Sequence, residues 1–126
     1  MEFIGELEDQ SGGRTNLDKI SQPVKDPQER SWRGFNFFLA QDQEVLLAIL
    51  RGEYQISGMS NRWLRTVLPK RNSGQIGRVL KRLRLHGLIK KIGKTYKYYL
   101  TDLGRQAIAA GLKLKGRILS LPLRTP

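Results

Sequence analysis

The chain has 126 residues, with 23 Lys and Arg against 11 Asp and Glu, a single His and no Cys, giving a net charge of +12. That length holds one ordinary domain with a core, and not two. Disulfides and thiolate metal sites are excluded; no apolar run approaches the roughly 18 residues of a membrane span, and no basic-then-apolar secretory signal opens the chain, so the expected address is cytoplasmic, on the nucleoid.

The excess charge is not spread evenly. Residues 1–53 carry a net −4, residues 54–101 hold twelve basic residues and no acid, and residues 102–126 carry a net +4. Twelve uncompensated cations on a small body repel one another, which makes most sense if a polyanion completes them. One histidine and no clustered carboxylates in that block leave little for a catalytic metal, and no cofactor is expected.

In chain order, residues 1–33 are poor in large apolar groups and contain Ser11-Gly12-Gly13, Pro23 and Pro27, the composition of a flexible arm. A weak spacing of Leu17, Ile20 and Val24 offers docking on the domain or a short helix after Asn16. Trp32, Phe35, Phe37 and Phe38 form an aromatic cluster that covers one end of a core or, alternatively, meets a partner. The first firm helix spans Ala40 to Arg51, with Val45, Leu46, Ile49 and Leu50 as its stripe, Asp42 and Glu44 in its first turn and Gly52 to stop it. Tyr54 and Ile56 add a short strand. Ser60 caps a second helix, Asn61 to Leu68, ended by Pro69.

Pro69-Lys70-Arg71-Asn72 then turns into a third helix, about 73–86. Ile76, Val79, Leu80 and Leu83 make its apolar stripe, Asn72 or Ser73 its cap, and Gly87 after His86 its end. Arg78, Lys81 and Arg82 project away from the stripe, with Gln75 at its edge. Two short helices joined by a four-residue turn, the second one basic, is a helix-turn-helix arrangement. A hairpin follows over 88–100, turning at Gly93-Lys94, with Ile89 opposite Tyr98 and with Lys90 and Lys97 sharing the other face. Thr101 caps a fourth helix running to Leu114 or Leu119. Its partial face (Ala107, Ile108, Gly111, Leu112) packs across its own domain or pairs with a second chain. Residues 34–119 are thus the domain proper, and 120–126 a loose tail. Gly93-Lys94-Thr95 lacks the earlier glycine and following helix of a phosphate-binding P-loop. His86 is placed to bond helix-terminal carbonyls rather than to catalyse.

The run His86-Gly87-Leu88-Ile89, a short turn, and then Tyr98-Tyr99-Leu100-Thr101-Asp102-Leu103-Gly104 resembles bacterial winged helix-turn-helix proteins, including the MarR-like regulators. The likeness covers roughly residues 40–115. Residues from about Asn16 onward are also similar to the C-terminal ends of longer bacterial proteins with this pattern, which implies a larger parent protein. The resemblance implies a mainly α fold with a small β-hairpin wing, homodimers through the last helix, and double-stranded DNA as the partner.

An α-helix fits the major groove, where base edges are distinguishable, and such proteins insert the start of the second helix of the pair. Transferred here, Asn72, Ser73, Gln75 and Arg78 are the expected base contacts. Gly74 and Gly77 remove bulk, so that backbone approaches phosphate or packs on the preceding helix. Arg62, Arg65, Lys70, Arg71, Lys81, Arg82 and Arg84 are expected on the DNA backbone, with Lys90, Lys91, Lys94 and Lys97 placing the wing there too. Tyr96 either stacks near the wing tip or covers the core. The expected function is DNA binding without catalysis, in transcription regulation. The alternatives are an RNA-binding or acidic-protein-binding winged helix, or the accessory module of a recombinase or transposase.

Overall fold

A computed structural model describes the backbone of residues 17–124 and the side chains of residues 17–116. Residues 17–21 are helical; a two-stranded hairpin follows, β1 (Val24–Lys25) and β2 (Ser31–Trp32). Then come α1 (Ala40–Gly52), α2 (Asn61–Val67), α3 (Ser73–Leu85), a second hairpin of β3 (Ile89–Lys91) and β4 (Tyr98–Leu100), and α4 (Asp102–Arg124). The architecture is mainly helical with small antiparallel hairpins.

Helices α2, α3 and α4 each start where a side chain accepts one of the free N–H groups of the first turn, whereas α1 follows Leu39 with no side-chain cap. At α2, the Ser60 hydroxyl accepts from the Trp63 N–H at 3.0 Å. At α3, Asn72 and Gln75 cap reciprocally: each side-chain oxygen accepts the other's backbone N–H at 2.8 Å. At α4, the Thr101 hydroxyl accepts from the Gly104 N–H at 3.0 Å. The expected stripes supply most of the core, with Leu50 and Val79 partly buried against it and Leu112 of the expected α4 face exposed. Val45, Leu46 and Ile49 of α1, Leu64 of α2, Ile76, Leu80 and Leu83 of α3, and Ala107 and Ile108 of α4 meet in one core. Gly87 takes φ +78° directly after His86, a left-handed turn that ends α3 and admits glycine most easily.

Four expectations are corrected. Residues 17–33 are not a loose arm: Ile20 is fully buried, and its carbonyl accepts the Phe35 N–H at 2.7 Å. Leu17 packs partly buried against the same core, so the short helix after Asn16 docks on the domain as the alternative reading expected. Asp26 satisfies the hairpin turn from within, accepting the backbone N–H groups of Gln28 and Arg30 and the Trp32 indole. Tyr54 and Ile56 form no strand; both lie exposed in turns, and Met59 bridges to Tyr98 instead.

In the second hairpin Ile89 faces Leu100, not Tyr98, and Lys91 faces Tyr98. Its loop is longer than two residues because Thr95 accepts from the Lys97 N–H and donates to the Ile92 carbonyl, building its own turn. The slip is by two residues, so every side chain keeps its face. Finally, α4 continues through residues 120–124. The leucines there favour helix, and Pro122 removes a bond near the terminus rather than in mid-helix. Residues 1–16 and 125–126 lie outside the described residues.

The aromatic cluster divides. Phe35 and Phe37 belong to the core, while Phe38 is about half exposed. A Cβ on Gly111 would sit 2.5 Å from the Phe37 ring, so α4 packs closely on its own domain at that point.

Candidate nucleic-acid interface

The second helix of the pair presents an unusual outer side. Helices α2 and α3 lie against each other, and the Asn61 amide at the start of α2 donates to the Ser73 carbonyl at the start of α3. With Ile76, Leu80 and Leu83 turned inward, the opposite side carries Ser73, Gly74, Gly77 and Arg78, all exposed. A Cβ on Gly77 would meet nothing within 4 Å, and one on Gly74 only the Asn72 side-chain oxygen at 3.5 Å. Neither glycine is there to let α2 pack closely. They leave a strip of bare helix backbone open to the outside.

Of the four residues expected at bases, Arg78 and Ser73 are exposed with no ion pair or side-chain bond among the described residues. Asn72 and Gln75 are exposed too, but their oxygens hold the reciprocal cap. The Gln75 NH2 remains available, whereas Asn72 is a structural residue first.

The expected backbone contacts separate into two groups. Arg62, Lys70, Lys90, Lys94 and Lys97 are exposed and outside every ion pair of the described residues. Arg65 is exposed and, among the described residues, donates only to the Asn61 side-chain oxygen, at 3.1 Å. Arg84 sits with its guanidinium 5.9 Å from the Tyr98 ring, and Lys91 with its ammonium 5.5 Å from the Tyr96 ring.

The other group is turned inward. Arg82 is a correction to the expected phosphate contact: its side chain is 14 % exposed and pairs with the buried Asp42 carboxylate through both terminal nitrogens, at 3.0 and 3.3 Å. It also donates to the carbonyls of Arg33 and Gly34, and lies 3.8 Å from the Phe35 ring centroid. Arg71 is a second correction, 18 % exposed and joined to Glu44 at 3.3 Å and to the Gln41 carbonyl. Lys81 is intermediate: its ammonium lies 3.4 Å from Asp26 and 5.3 Å from the Trp32 ring.

These pairings name the residues that periodicity could not find, Asp26 and Asp42. Asp42 accepts the Asn36 N–H and fastens α1 to α3. At Asp26, burial acts to raise the carboxyl pKa, but hydrogen bonds from Trp32, the Arg30 backbone, Lys81 and the Gln28 backbone prevail and hold it at about 2, below the usual 3.8. His86 bridges the Arg82 and Gln22 carbonyls at 2.9 and 3.0 Å, so the helix-end role expected for it extends to the N-terminal segment. The only sequence signal for any of this is that acids cluster before residue 54.

A groove of about 560 Å³ runs beside the bare strip. Its floor is α3 at Gly77, Leu80, Lys81, Arg84 and Leu85; one wall is Pro27 and Gln28 at the tip of the β1–β2 hairpin, the other Tyr96 and Tyr98 of the second hairpin. Leu85 lies on the polar side of the α3 wheel, and this groove is where it faces. No described helix is long and apolar enough to cross a membrane. Compared with protein-family models, with curated proteins and with solved structures, the chain finds no match.

Proposed function

We propose that the chain is a winged helix-turn-helix module that binds double-stranded DNA without catalysis, in transcription regulation. In this reading α3 enters the major groove by its N-terminal half, Arg78 reads bases, Ser73 and the Gln75 amide assist, and the β3–β4 hairpin is the wing. Arg62, Arg65, Lys70, Lys90, Lys94 and Lys97 neutralise phosphates.

The observation that carries it is the bare strip at Gly74 and Gly77, lying open among exposed cations that no acid of the described chain answers. Glycine inside a helix costs roughly 1 kcal/mol relative to alanine. Among the described residues nothing stands over Gly77 and only the Asn72 side-chain oxygen approaches Gly74, so a surface from outside is the economical occupant. A polyanion that lies against helix backbone fits both the shape and the charge.

Selection of bound sequences from a random duplex pool tests it. Enrichment of a short motif supports base reading, and a palindrome would add a homodimer through α4 together with its half-site spacing. An unenriched pool would remove the base-reading role. Preference for structured RNA over duplex DNA in competition at several salt concentrations would move the assignment to RNA, and capture by an acidic protein alone would move it away from nucleic acid. Attachment to a recombinase or transposase parent would leave the contacts and change only their purpose.

A further inference from the structure

The groove between the two hairpins has a lining suited to something the duplex reading does not use. Its volume, about 560 Å³, falls within the roughly 300–1,000 Å³ of clefts that enclose small organic molecules. Among its lining residues there is no carboxylate. Arg84 has no ion-pair partner among the described residues, and Lys81, the second cation, is shared with Asp26. The wall holds two tyrosines, of which Tyr96 is 84 % exposed.

Arg84 lies 5.9 Å from the Tyr98 ring and Lys91 lies 5.5 Å from the Tyr96 ring, so the groove joins an exposed aromatic surface to cations. That suits a ligand with a planar face and a negative charge, the chemistry of a nucleotide. Within a duplex each base is covered on both faces by its neighbours, so a tyrosine ring finds a planar partner only where a strand is unpaired. Gly77 lies on the floor next in sequence to Arg78, so the groove continues the exposed strip of α3.

We propose that this groove receives a nucleotide of an unpaired DNA strand, its base stacked on Tyr96 and its phosphate on Arg84, so that the chain prefers a duplex with an unpaired extension to a blunt one. The inference rests on the duplex reading of α3.

The test is fluorescence anisotropy of the full chain, at fixed salt, on labelled DNAs sharing one duplex. One is blunt, one carries a short unpaired extension on either strand in turn, and one carries the same extension made of abasic nucleotides. The abasic extension has the same phosphates, so any difference between the two extensions measures the bases alone. The base-bearing extension should bind about tenfold more tightly than the abasic one, as expected for one stacked base. Tyr96→Ala should abolish that ratio and Tyr96→Phe should keep it. Arg84→Ala should weaken both extensions together.

Equal binding of the two extensions, or a ratio that survives Tyr96→Ala, overturns the proposal. Saturable binding of deoxythymidine monophosphate lost in Tyr96→Ala, without any base-dependent gain on the extensions, would assign the groove to a free nucleotide and overturn the strand. Failure of the blunt duplex to bind, with a single strand still held through Tyr96, would instead sink the duplex reading and leave the groove's occupant as stated.

Discussion

Arg78 and Arg82 stand one helical turn apart on α3, and only one of them faces outward. Arg82 is enclosed by Asp42, two backbone carbonyls and the Phe35 ring. Removing one member of a buried ion pair strands the other, at a cost of about 3 kcal/mol or more. Arg82→Ala should therefore lower the urea midpoint markedly. Arg78→Ala should leave stability within about 0.5 kcal/mol, as surface changes do. Reversing the charge at Arg78 should damage sequence preference, while Lys94→Ala should weaken binding to all sequences alike; equal loss of specific and nonspecific binding in the Arg78 variant would refute that division.

Gly77→Ala gives the opposite pairing of effects. The added methyl meets nothing within 4 Å, so the variant should be more stable by about 1 kcal/mol and yet bind DNA several-fold more weakly. A stabilised variant with undiminished binding would show that the bare strip touches nothing.

Among the secondary-structure elements, what could be read from sequence follows the range of the interaction that decides it. The α3 stripe of Ile76, Leu80 and Leu83 repeats within one helix and was legible, as were the Ser60 and Thr101 caps, which act over three residues. The candidate strip at Ser73 and Arg78 follows from the same wheel. Arg82 looks like Arg78 by that measure, because its partner Asp42 lies 40 residues away. The β1–β2 hairpin was illegible for a similar reason: its turn is organised by one carboxylate, not by an apolar pattern.

That carboxylate gives the hairpin a pH dependence. Asp26 is held at about 2 against an ordinary 3.8, so its contribution is complete above pH 3.8 and fades as pH falls through about 2. In urea unfolding between pH 5 and pH 2, the native chain should exceed Asp26→Asn in stability at the upper end. The gap should close at the lower. A gap constant across that range would mean that the ionised form is not what holds the turn.

For the molecule as a whole, charge decides more than shape. Among the described residues, acids pair with Arg82 and Lys81 of α3 and with Arg71 of the turn, and leave Arg62 and Arg65 of α2, Lys70 of the turn and the lysines of the second hairpin without an ion-pair partner. If about six of them meet phosphates, log K should fall against log salt with a slope near −5. A slope near −1 would mean that the cations merely keep the protein in solution.

The contacts of the first hairpin bear on where the domain can be cut. Sequence composition places its start at Gly34, yet trimming there would take away the Gln22 carbonyl from His86, the Arg33 carbonyl from Arg82 and Asp26 from Lys81. It would also uncover Phe35 and dismantle one bank of the groove. The shortened protein would be frailer and, with Lys81 released, stickier toward any polyanion. Such a fragment would give an inflated account of indiscriminate binding, and a boundary no later than residue 17 avoids it.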